Sequence, residues 1–66
     1  MKITLNGQAK EFSHAQSMQH IIEQFCKQHN RVIAELNGEI IKHPSWPSIT
    51  LKDGDVVELV SFVGGG

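Results

Sequence analysis

Apolar and polar residues alternate through Met1-Lys2-Ile3-Thr4-Leu5, the period-two signature of a half-buried strand. Asn6-Gly7 follows. This pair favours a type I′ hairpin turn, because both central residues need positive φ. Gln8 to Phe12 is then the returning strand, with Phe12 as its anchor. After Ser17 the period changes. Met18, Ile21, Ile22, Phe25, Cys26 and His29 fall on one face of an amphipathic helix. Gln19, His20, Glu23, Gln24, Lys27 and Gln28 fall on the other. Ser17 is the expected N-cap, although Ser13 with Gln16 also fits a capping box a turn earlier. Lys27 and His29 suit the helix C-terminus, and Asn30 can end it in a left-handed conformation.

Arg31 to Leu36 reads as a third strand, Asn37-Gly38 as a second hairpin turn, and Glu39 to Ile41 as its return. His43-Pro44-Ser45-Trp46-Pro47 cannot continue a ladder, since neither proline has an N–H to donate. It is expected to be a surface connection that Trp46 pins to the body. Ile49-Thr50-Leu51 returns toward the core, Lys52-Asp53-Gly54-Asp55 turns, and Val56 to Val63 forms the longest strand. One helix among four or five strands predicts a two-layer α+β domain, with the helix packed across one face of a mixed sheet.

The last strand has two faces. Glu58 should not enter a core without a partner, so Val57 and Leu59 are expected beneath the helix. Val60 and Phe62 then face outward and form a candidate docking patch. Three glycines follow, Gly64, Gly65 and Gly66. They have no side chains and suit a narrow site on another protein. Extended, three residues reach about 10 Å, with the α-carboxylate of Gly66 at the tip. The expected division is a domain over residues 1–63 and a flexible tail over 64–66.

Bulk properties narrow the classes. The 66 residues suffice for one small domain. Net charge is −1 and the six basic residues are scattered, which argues against a nucleic-acid footprint. No apolar run approaches the ~20 residues of a membrane span, and Met1-Lys2 leads straight into a strand rather than a signal-peptide core. The single cysteine, Cys26, excludes an internal disulfide and suits a reducing, cytoplasmic setting. Within the helical pattern it reads as a partly buried, inert thiol.

Candidate chemistry is sparse. His20 and His29 are out of phase on a helix, while His14 and His43 belong to different loops, so no metal is expected. Asp53 and Asp55 around Gly54 read as turn chemistry without calcium-loop spacing. No helix follows the C-terminal glycines to hold an anion. A catalytic residue, a bound cofactor and an active site formed by this chain alone are not expected.

Glu35-Leu36-Asn37-Gly38-Glu39-Ile40-Ile41, Trp46, the run Leu51-Lys52-Asp53-Gly54-Asp55-Val56-Val57-Glu58-Leu59-Val60 and the ending Phe62-Val63-Gly64-Gly65-Gly66 together resemble the ThiS sulfur carriers of thiamine biosynthesis. The opening hairpin, the single helix and the length match the same family, so the resemblance covers the whole chain. No one piece is specific; the combination at this length is. The resemblance implies a β-grasp, ubiquitin-like fold. It also implies that a ThiF-type adenylyltransferase uses ATP to adenylate the Gly66 carboxylate, which sulfur transfer converts to a thiocarboxylate. A ThiG-type thiazole synthase would receive that sulfur. Gly65 maps to the penultimate glycine that threads a partner's site, and Gly64 is one glycine beyond the minimal Gly-Gly ending. The small subunit of molybdopterin synthase and the ubiquitin-like modifiers share the fold; the short length favours the thiamine branch. A reading of another class is a non-covalent β-grasp binding module whose glycines are idle.

Overall fold

A computed structural model describes residues 1–27 and 31–62. Five strands form one mixed sheet: β1 (Lys2–Leu5), β2 (Gln8–Glu11), β3 (Val32–Leu36), β4 (Glu39–Ile41) and β5 (Val56–Ser61). Their order across the sheet is β2-β1-β5-β3-β4. β5 runs parallel to β1 and antiparallel to β3, so the last strand occupies the centre. The helix α1 (Met18–Phe25) lies between the two hairpins in sequence. This is the β-grasp fold.

Both hairpins turn where positive φ is required. Asn6 and Asn37 have φ of 49° and 51°, followed by Gly7 at 80° and Gly38 at 87°. Their side chains also hold β5. The Asn6 Oδ1 accepts from the Leu59 N–H at 2.8 Å. The Asn37 Oδ1 accepts from the Val56 N–H at 2.9 Å, and its amide donates to the Asp55 carboxylate at 3.1 Å. Asp55 is buried and also accepts from the Lys52 N–H at 2.7 Å, which closes the turn into β5. Carboxylates around Gly54 are thus turn groups: Asp53 likewise accepts from the Lys2 N–H.

Ser17 caps α1, its hydroxyl accepting from the His20 N–H at 3.1 Å. Met18, Ile21 and Ile22 are fully enclosed against Ile3, Leu5, Val32, Ala34, Val57 and Leu59 from the sheet. Trp46 completes the core from the far side of the chain. It sits in a 3₁₀ helix over His43–Ser48, into which both prolines fit, and its indole N–H donates to the Ile41 carbonyl at 3.0 Å. The expected surface connection therefore has regular structure: Pro44 takes an early position whose N–H needs no helical partner, and Pro47 lies inside the helix.

Two expectations about α1 need correction. The helix ends at Phe25, and Cys26 is already extended with φ of −131°. Lys27 therefore lies beyond the last turn rather than in it; His29 and Asn30 fall outside the described residues. The extended backbone keeps the Cys26 thiol in the core, with Sγ 3.9 Å from the Ser61 hydroxyl, while the chain leaves the helix axis. Phe25 shares the helical face with Met18 but is 45% exposed. Lys10 of edge strand β2 lies opposite Ile3 on the helix side, so the sheet offers no apolar wall there. The Lys10 ammonium sits 5.6 Å from the Phe25 ring centroid instead.

Since Ile21 is fully buried beneath the centre of the helix, Ile21→Ala is expected to cost about 2–5 kcal/mol in chemical denaturation. Phe25→Ala should cost clearly less; an equal loss would contradict the exposed position.

Candidate functional site

β5 carries the surface that matters. Its alternation places Val57 and Leu59 in the core and Val56, Glu58 and Val60 on the opposite face of the sheet. Phe62 continues the outward set: its N–H donates to the Arg31 carbonyl at 2.9 Å, which keeps the ladder parity one step past the strand. Val60 is 52% exposed and Phe62 46%. The face assigned to these two residues from the sequence is the face they occupy.

Neighbouring strands enlarge the patch. Ile33 stands directly opposite Val60, and Ile40 stands opposite Glu35 on the same side. Both isoleucines are exposed, Ile40 at 65%. Reasoning from the sequence missed them. The run Val32-Ile33-Ala34 gives little indication of which residue turns inward; the register with β5 selects Val32 and Ala34. The helix covers one face of the sheet, whereas this face has no covering element among the described residues.

Chain direction puts the patch at the end of the described chain. β5 ends next to the start of β3, and Phe62 is the last described residue. Gly64, Gly65 and Gly66 lie outside the described residues. The described surface has no pocket, and no three metal-ligating side chains gather on it. The lone thiol, Cys26, is buried. His43 packs against Trp46 with ring centroids 4.3 Å apart and planes tilted by 31°.

These features define a β-grasp domain that offers an open apolar face and an adjoining C-terminal segment, rather than a cleft. A model of the ThiS family matches residues 3–66, and the chain belongs to that family as a small sulfur carrier protein rather than an enzyme. Similar proteins include the sulfur carrier protein ThiS of Bacillus subtilis, 38% identical over 50 residues that make up 76% of each chain. The crystal structure of the thiamine biosynthesis protein ThiS from Geobacter metallireducens superposes with a TM-score of 0.85 at 32% identity, covering all of both chains. A thiazole synthase of Paramagnetospirillum magneticum is 32% identical over all 66 residues, which amount to 20% of its own length.

The two faces of β5 predict different costs of truncation. Leu59→Ala should destabilise by about 2–4 kcal/mol. Phe62→Ala should shift the denaturation midpoint only slightly, as expected at an exposed site. A large loss with Phe62→Ala would place that ring in the core.

Proposed function

We propose that this sulfur carrier of thiamine biosynthesis holds its cargo as a thiocarboxylate at Gly66. The family match through the last residue carries this reading. A free carboxylate is a poor electrophile, since resonance spreads its negative charge over both oxygens. A ThiF-type partner would activate it: a carboxylate oxygen attacks the α-phosphorus of ATP and pyrophosphate leaves. The resulting acyl adenylate accepts a sulfur nucleophile, and AMP departs with the electron pair. The product retains the sulfur at the C-terminus. ATP belongs to the partner, and the chain itself supplies no catalytic group.

Gly64 and Gly65 act as the thread that carries Gly66 into the partner, separate from the folded domain of residues 1–63. Val60 and Phe62 dock that domain so that the tail starts at the site entrance. The recipient is a ThiG-type thiazole synthase. The relative from Paramagnetospirillum supports this pairing, because one chain named thiazole synthase includes a unit similar to all 66 residues. A cytoplasmic location suits ATP-dependent chemistry and a free thiol; no helix is long and apolar enough to cross a membrane among the described residues.

Intact mass spectrometry after incubation with the ThiF-type partner, ATP and a sulfur source tests the reading. One oxygen should be replaced by sulfur at Gly66. Deletion of Gly66 should abolish the change while leaving the melting temperature where it was. An unmodified wild-type mass would refute the carrier chemistry, and a large drop in melting temperature would refute a tail independent of the fold.

A further inference from the structure

Two carboxylates stand at the middle of the open face. Glu58 of β5 pairs directly with Glu35 of β3. Side chains so opposed have Cβ atoms about 5 Å apart, and like charges at that spacing destabilise a sheet. Four aliphatic groups adjoin the pair: Val56 and Val60 flank Glu58 along β5, Ile33 precedes Glu35 on β3, and Ile40 faces Glu35 from β4. All four aliphatic side chains are exposed.

This arrangement constrains what can cover the face. A protein that buries the four aliphatic groups also removes water from the two carboxylates between them. Desolvating two adjacent anions without a counter-charge is strongly unfavourable. An apolar partner surface alone therefore does not fit. A surface that brings a cation to the centre does, because one guanidinium presents parallel N–H groups to two carboxylates and an ammonium bridges them as a point charge.

Resting on the carrier reading above, we propose that the open face receives the thiazole synthase and that the synthase seats one arginine or lysine between Glu35 and Glu58. Its aliphatic surroundings contact Val56, Val60, Ile33 and Ile40. The charge pair lowers the stability of the free carrier and is neutralised on docking. It gives this face selectivity for a basic, apolar-rimmed surface and disfavours self-association, since two such faces would bring four carboxylates together.

The test is titration calorimetry of the chain with the ThiG-type synthase of the same organism, at two salt concentrations, beside thermal melts of the carrier alone. Replacing both carboxylates, Glu35→Gln with Glu58→Gln, should weaken binding about tenfold or more and flatten its salt dependence. The same double variant should melt about 2–4 °C higher, since the repulsion is gone. Glu23→Gln on the exposed helix surface removes one charge elsewhere and should change neither binding nor melting appreciably. Wild-type affinity in the double variant, or no binding by the wild type, overturns the proposal. The mass measurement at Gly66 separates the two readings: sulfur uptake by a double variant that binds like wild type sinks only the charge-pair docking, whereas an unmodified wild type sinks the carrier chemistry itself.

Discussion

The register of β5 is the constraint on which the rest depends. This strand is central, parallel to β1 on one side and antiparallel to β3 on the other. A slip by one residue would exchange its faces, burying Glu58 and exposing Val57 and Leu59. Two side chains guard against that slip. β1 ends at Leu5, and the Asn6 Oδ1 takes the Leu59 N–H beyond the last β1–β5 pair. β3 ends at Leu36, and the Asn37 side chain takes the Val56 N–H in the same way, while its backbone N–H donates to the Val56 carbonyl. Each asparagine therefore both turns a hairpin and extends a ladder.

With the register set, the sheet divides its labour between faces. The helix side carries stability: Val57, Leu59, Ile3, Leu5 and Ala34 close over Met18, Ile21 and Ile22. A chain of this size has little core, so few of these positions can be given to other uses. The opposite side is available for recognition. It carries apolar groups that a solitary surface has no need of, together with a like-charge pair that a solitary surface is better without. This is consistent with the proposed carrier role, in which the reactive atom sits at the C-terminus. Docking at Val60 and Phe62, as proposed, would adjoin the end of β5.

Much of this was legible beforehand, for identifiable reasons. Alternation in Val56-Val57-Glu58-Leu59-Val60 assigns its own faces, because one charged residue breaks the tie. Asn-Gly twice announces a hairpin because few residue pairs accept positive φ in succession. Ser17 was legible as a cap from the helical period that begins after it. Other features were not. Phe25 fits the buried helical face by period, yet β2 offers Lys10 where an apolar wall would be needed. The helix stops earlier than its periodicity suggests, because Cys26 reaches the core from an extended backbone. Ile33 and Ile40 join the patch only through their partners across the sheet.

Local patterns alone thus determined the elements, their order and the inward face of the last strand. These depend on backbone preference and on side-chain period, which act over a few residues and can be read from them. The tertiary structure decided which strands became neighbours. It thereby decided how far the helix face is covered, that Glu35 meets Glu58, and that four aliphatic side chains adjoin them. Those are properties of register between segments far apart in the chain. No local preference encodes them, since each arises only when two strands are laid side by side.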